Sequence, residues 1–522
     1  MEYAELMQRA DHIPSNIPCR RLRVNREQWL LTAQTLGASA ARLLSLWGSD
    51  HRDRDGCFRI HAAWILPDSV ILLEHPIDTR EHNAAVTPSY PGLARIFPSA
   101  RRMQRAIYDL LGVVAEEPER DQRGWLRHDG WPRDWFPLRR DAEDQTSCPS
   151  DSAAYPFLSV HGDGVHELAV GPVHAGTIEP GHFRFSVVGE KVLRLEAHLG
   201  YVHRGLERRF TALPILAGHR LAARVSGDSA VAFSWAYCQA LEGLAGATIP
   251  PRAAWLRAVC LELERLANHL GDLGALGNDA GFAFGLTQFS RLKEDVLRAT
   301  AAAFGQRYLF DVLVPGGLSV DLAGDGARAL ADAIRGACAE SAELRTIYDE
   351  HEGVRARFSG TGRLGPALAA QLGVLGLVGR ASGQGRDARL DLPCLPYTEL
   401  PVAKVVLHDG DVAARVAVRF EEVQECGRLL RQLLSKVPDG PCTAVLEEPA
   451  DGAFGIGLIE GWRGPVLVAL QAGPAGTVRF CHPHDPSWQN WPALEYAILG
   501  NIVPDFPLIN KSFNLSYSGV DL

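Results

Sequence analysis

GPVHAGTIEPGHFRFSVVGEKVLRLEAHLGYVHRGLERR, Gly171 to Arg209, is the stretch on which the reading of this chain turns. It opens as a Gly/Pro/His loop with a single carboxylate, Glu179, set between Ile178 and the turn formers Pro180 and Gly181. Phe183, Phe185 and Val187 then alternate with Arg184 and Ser186, the period of two that a strand with one buried face requires. Gly189, Glu190 and Lys191 mark a tight turn into a second extended run, so the segment predicts a β-hairpin. YVHRGLERRF follows as the first turns of a helix.

Outward from this hairpin the chain divides by composition. Ahead of it, CFRIHAAWILPDSVILLEHPI (Cys57–Ile77) predicts two strands around Pro67 and Asp68, and RRMQRAIYDLLGV predicts an amphipathic helix ending at Gly112. Residues 143–157, rich in Ser, Asp and Pro, lack apolar periodicity and read as a linker. Behind the hairpin, apolar residues recur at three- and four-residue spacing through SAVAFSWAYCQALEGLAG and PRAAWLRAVCLELERLANHLGDLG, which predicts long helices. Glu262, Arg265 and His269 share one helical face and read as a polar stripe between packed helices. Gly410–Gly440 predicts another helix, and GAFGIGLIEGWRGPVLVAL a strand, turn and strand with Glu460 and Arg463 on the turn. The expected class is α+β: a small α/β unit, then a mainly helical unit entered through a β-hairpin sheet.

The chain has 522 residues, 46% hydrophobic and 22% charged, and a net charge of −9. That size carries two or more domains. The acidic balance gives no electrostatic case for nucleic acid or an anionic membrane surface. No apolar run reaches the ~18 residues of a membrane span, and no apolar leader follows the N-terminus, so direct membrane insertion is not expected. The ten cysteines form no C-x-x-C pair and read as reduced, mostly buried thiols.

The loop IEPGH and the run HRGLE, with ELERLANHLGDLG downstream, resemble the large subunit of group 4 (energy-converting) nickel–iron hydrogenases and the forty-nine-kilodalton subunit of respiratory complex I. AIYDLLGV with WLRHDGWPRDWFPLRRD resembles the thirty-kilodalton subunit of complex I. The resemblance implies a docking domain like that smaller subunit over residues 1–142 and a large-subunit domain over 158–522.

In the hydrogenases two C-x-x-C pairs hold the bimetallic centre, because a soft metal pair needs soft, charged donors. Here Ser226 and Ser229 fall on the first pair, and Ser516 and Gly519 on the second. The resemblance thus implies no nickel–iron centre and no cofactor bound by this chain. Glu179 falls on the hydrogenase proton-passing glutamate and Arg463 on the arginine above the metals; they are expected to serve as a proton relay or anion contact, or as a structural ion pair. His174 and His182 are candidate lining residues of the cavity, though neither maps onto the quinone histidine of complex I, and Gly227 stands where its tyrosine would be.

The family implies a peripheral subunit on the cytoplasmic face of the cell membrane, in an oxidoreductase complex coupling electron transfer to ion translocation. Expected partners are an iron–sulfur small subunit, a ferredoxin-like subunit and antiporter-like membrane subunits, with the clusters in those partners. Quinone or NAD binding, as in NADH:quinone oxidoreductases, reduction of another small molecule, and a purely structural role remain open readings.

Overall fold

The computed structural model describes residues 8–39, 41–80, 87–128, 131–132, 134–143, 155–174 and 178–522. Most of the expected linker, and Cys148, lie outside them.

A five-stranded sheet opens the described chain: β1 (Asp11–His12), β2 (Cys19–Arg23), β3 (Arg42–His51), β4 (Cys57–Ile65) and β5 (Val70–Asp78), in the order β1-β2-β5-β4-β3. β2 and β5 pair in parallel, and the other neighbours are antiparallel. Helix α1 (Arg26–Gly37) links β2 to β3 across the sheet, its start fixed by a capping box of Asn25 and Gln28. Helix α2 (Ala100–Leu111) stops at Gly112, whose left-handed φ of 70° suits glycine. One sheet face packs on these helices through Trp64 and Ile60. The other, with Leu44, Trp47 and Leu72, packs on a sheet from the far end of the chain. The two ends of the sequence therefore share a core.

The expected hairpin is present as β7 (His182–Val188) and β8 (Lys191–His198), with Val188 opposite Lys191. A preceding strand, β6 (Val165–Val170), extends it to three. Phe183, Phe185 and Val187 are fully buried, as their alternation predicts. After the short helix α3 (Leu206–Phe210), the body is built from α4 (Ala230–Leu244), α5 (Pro251–Asp279), α6 (Ala283–Phe304), α7 (Gly324–Glu350) and α8 (Val412–Lys436). A sheet of β9 (Phe454–Gly461), β10 (Gly464–Ala472) and β11 (Val478–His484) closes over α4, and α9 (Ser487–Ala497) and α10 (Phe506–Phe513) follow. Gly455 and Gly457 let β9 lie directly on α4, since a Cβ at either would fall on a helix carbonyl.

Inside this body lies a lattice of guanidinium and carboxylate groups, none more than 3% exposed. Arg265 and Arg389 meet Glu262 at 3.1 and 3.3 Å, Arg389 meets Asp387 at 2.8 Å, and Arg380 meets Glu422 at 2.8 Å and Glu460 at 3.4 Å. Tyr397 donates to Glu262 at 2.7 Å. The polar stripe on α5 is thus largely satisfied. The exception is His269, whose ring nitrogens find no partner among the described residues and whose pKa burial lowers to about 3. Glu460 is not on the β9–β10 turn, as its sequence neighbourhood suggests, but is an inward residue of β9. The strand runs one residue past it, and its carboxylate is drawn inward by Arg380 and the Ala388 N–H.

Removing one cation from this lattice strands buried carboxylates. Arg380→Met is expected to destabilise the fold by about 3–5 kcal/mol, read from the denaturant midpoint at unchanged slope.

Candidate functional site

The turn Ser226–Gly227–Asp228–Ser229 ends where α4 begins. From the other end of the chain, the left-handed residue Asn514 (φ 44°) terminates α10 and turns the backbone so that Ser516 to Gly519 come up against it. The Ser226 and Ser516 hydroxyls lie 2.8 Å apart, and Ser516 Oγ accepts from the Gly519 N–H at 2.9 Å. The positions singled out from the two sequence motifs, 290 residues apart, therefore meet. Their donors are hydroxyls of very high pKa and a glycine without a side chain, already committed to one another. This set does not suit a low-valent nickel–iron pair, which needs charged, bridging sulfur. A Cβ at Gly519 would sit 2.6 Å from Asp485 Oδ2, so that side-chain space is taken as well.

Arg463, 5% exposed, does overhang the site. Its partner is Asp228, not Glu179. Nη1 and Nη2 donate to the two Asp228 oxygens at 2.7 and 2.5 Å, Nη1 also reaches Ser229 Oγ at 3.3 Å, and Nε donates to the Asn514 carbonyl at 2.5 Å. The guanidinium stacks 4.0 Å from the Trp462 ring, and Trp462 Nε1 donates to the Asp228 carbonyl at 2.8 Å. Enclosure by the protein would by itself raise the Asp228 carboxyl, but Arg463 and the Ser226 hydroxyl outweigh it and hold the group below the usual range. Glu179 stands at the rim, exposed, where its Oε2 accepts from the Ser518 N–H at 3.1 Å.

The two histidines serve the loop itself. His174 Nε2 lies 2.8 Å from the Gly181 carbonyl and His182 Nδ1 lies 3.2 Å from that of Gly171, cross-tying the ends of the Gly/Pro/His loop. Neither is among the residues lining the cavity that adjoins Gly227.

That cavity, about 330 Å³, lies between α5, α6 and the loop 307–310. Leu263, Leu297 and Phe310 give it apolar walls; Asp228, Glu264, Asn268 and Lys293 give it polar ones. Asp228 and Glu264 escape a reading of the sequence. The only signal for Asp228 is an acid inside the Ser–Gly–Asp–Ser turn. Glu264 sits on the other side of its helix from the stripe formed by Glu262, Arg265 and His269. It accepts from the N–H groups of Val231 and Ala232 at 2.6 and 3.3 Å, which gives α4 the cap that Ser229 does not provide. Burial outweighs those hydrogen bonds and raises Glu264 to about 8.

This raised acid has a defined effect on stability. Between its usual pKa of 4.5 and about 8 the folded chain holds a proton that the unfolded chain has lost, so stability falls with rising pH across that window and is unaffected below it. Glu264→Gln is expected to flatten the stability slope between pH 5 and 8 by about one proton, measured from urea midpoints. An unchanged slope would show that Glu264 is ionised in the folded state.

The family model described as respiratory-chain NADH dehydrogenase, 30 kDa subunit, matches residues 22–147, and that of the 49 kDa subunit matches residues 279–453. Formate hydrogenlyase subunit 5 of Escherichia coli is 31% identical over 91% of this chain and 84% of its own length. Hydrogenase-4 component G of the same organism is 30% identical over 91% of this chain and 83% of its own. Among solved structures, a chain of the membrane-bound sulfane sulfur reductase, an archaeal respiratory membrane complex, superposes with a TM-score of 0.65 at 24% identity, covering 70% of this chain and 100% of that one. The α+β fold, the two complex I-like segments in one chain and the near full-length similarity together lead to one conclusion: the chain belongs to the group 4 hydrogenase-related large-subunit family, with the two complex I subunit types fused.

Proposed function

We propose that this chain is the large subunit of a complex I-like oxidoreductase complex that couples electron transfer to ion translocation without a nickel–iron centre of its own. The observation that carries this reading is the hydrogen-bonded closure of Ser226, Ser516 and Gly519 beneath the Asp228–Arg463 pair, inside an otherwise retained large-subunit frame. The subunit sits peripherally on the cytoplasmic face of the cell membrane and is held there by partners. Among the described residues no helix is long and apolar enough to cross a membrane. The partners are an iron–sulfur small subunit and a ferredoxin-like subunit, which carry the clusters, and antiporter-like membrane subunits. Glu179, exposed at the rim, is the proton-exchanging group of the reading.

Purification of the tagged chain from detergent-solubilised membranes, followed by mass spectrometry and metal analysis, tests this directly. The expected result is co-purification of iron–sulfur and antiporter-like subunits, with iron present and nickel far below one per complex. Recovery of the chain alone from the soluble fraction would sink the proposal. In the purified complex, Glu179→Gln is expected to lower turnover with assembly unchanged; full activity would leave the chain a structural scaffold.

The cavity beside Gly227 favours a second reading, in which the same subunit admits a quinone or another small molecule for reduction. A Cβ at Gly227 would meet only Phe310, at 3.9 Å, so a side chain can start into the cavity there, and Gly227→Trp is the variant that obstructs it. Loss of activity in an intact complex is the expected result on this reading, and unchanged activity removes it.

A further inference from the structure

A second cavity, about 350 Å³, lies at the seam where the N-terminal sheet meets the large-subunit body. Its walls carry Arg139 and Arg140 from the N-terminal side, Arg208 from α3 and Arg479 from β11, against the carboxylates of Asp50 and Glu207. Both carboxylates are already engaged. Asp50 is held by Arg52 at 2.7 Å and by the backbone N–H of Arg140 at 2.8 Å, and Glu207 lies 2.7 Å from His482 Nδ1.

The guanidiniums are spent differently. Arg139 donates through Nε to the Leu111 carbonyl at 2.7 Å and lies 4.3 Å from the Phe136 ring, and Arg140 donates through Nη2 to the Arg479 carbonyl at 2.6 Å. Neither has a carboxylate within ion-pair distance among the described residues. Arg208 reaches across the seam to the carbonyls of Pro137 and Ala142 at 2.7 and 3.1 Å. Arg479 pairs with Asp53, yet its buried Nε, in a side chain 4% exposed, has no hydrogen-bond partner among the described residues. Partial desolvation of the guanidinium and the neighbouring Arg479 cation push Arg140 down and outweigh the opposing pull of Asp53 and Asp50.

Four arginines from two parts of the fold thus line one cavity, in a protein whose net charge is −9. We propose that this seam is a binding site for a small phosphoryl-bearing anion, which bridges Arg139 and Arg140 on one side to Arg208 and Arg479 on the other. The donors come from three separate segments and converge from different directions, which suits the tetrahedral array of oxygens on a phosphoryl group. The cavity is large enough for a body attached to that group, with Phe480 and Trp47 in its wall. Binding neutralises Arg139 and Arg140 and ties the N-terminal sheet to the large-subunit body, so the ligand stabilises the junction between the two fused segments.

Thermal unfolding and calorimetry of the full chain, titrated with inorganic phosphate, pyrophosphate and ADP against sodium chloride of matched ionic strength, test the site. The expected result is a saturable rise in melting temperature with at least one phosphoryl probe and not with chloride. ADP stronger than pyrophosphate would point to a nucleotide, and the reverse to a free polyphosphate. The double variant Arg139→Gln, Arg140→Gln removes one charge repelled by Arg52 and one repelled by Arg479, so it should fold and bind the probe about tenfold more weakly or worse. Arg140→Gln alone, at an exposed position, is the control if the double variant does not fold, and should weaken binding in the same direction. No saturable shift, or equal shifts in wild type and Arg140→Gln, would overturn the proposal. A shift given by a triglutamate peptide and by none of the phosphoryl probes would overturn it in favour of an acidic segment of a partner.

Discussion

Everything around the site is referred to the buried lattice of Arg265, Arg380 and Arg389 with Glu262, Asp387, Glu422 and Glu460. Charges withdrawn from water are tolerable only when each is met by an opposite charge and its remaining donors and acceptors are filled. Here those conditions can be satisfied only if α5, α8, β9 and the short helix Gly376–Ala381 sit in one arrangement, because each contributes members. Arg265 transmits that constraint to the site. Its two terminal nitrogens donate to the carbonyls of Gly461 and Glu460 at 3.0 and 2.6 Å, which holds the turn carrying Trp462 and Arg463. Three arginines against four carboxylates leave one negative charge over. Burial and the facing Asp387 push the Glu460 carboxyl up to about 7, so below that pH the surplus is met by a proton.

The site at the end of this chain of constraint is held together by hydrogen bonds where its relatives by resemblance would use thiolate–metal bonds. Each such hydrogen bond is worth about 1 kcal/mol net. A ring of them, with a bidentate guanidinium–carboxylate pair above, is enough to dock the C-terminal segment onto the turn before α4. Asp228 is the hub of that ring: its side chain neutralises Arg463, and its carbonyl accepts from Trp462 and Asn268. The arginine singled out by resemblance thereby finds its partner within the very turn that would have held metal.

How much of this is legible in the sequence depends on the range of the interaction. The alternation of Phe183, Phe185 and Val187 is local, and the hairpin it predicts is present with the turn where Gly189 and Glu190 place it. The meeting of Ser226 with Ser516 is legible through resemblance alone; no local physics in either segment announces it. Partner choice is not legible. Glu179 and Arg463 are each the conspicuous charge of their segment, yet Asp228 takes the guanidinium, because its turn and the β9–β10 turn are brought face to face. Glu460 escapes for a similar reason, since only the lattice shows that β9 continues past it. The seam between the first and last sheets joins Ser45 to His482, 437 residues apart, and no pattern within either segment points to the other.

Asp485, beside Gly519, bears on which side chains the centre can accept. It is 1% exposed, accepts from the Ser487 N–H at 2.8 Å, and fills the volume that any side chain at position 519 would need. A thiol introduced there would meet it, so cysteine at position 519 requires the Asp485 side chain to shift or to be replaced. Replacing Asp485 would in turn remove a buried acid and its hydrogen bond to the Ser487 N–H. Positions 485 and 519 are thus coupled: the carboxylate occupies the volume that a side chain at 519 would take, so the two residues must change in step.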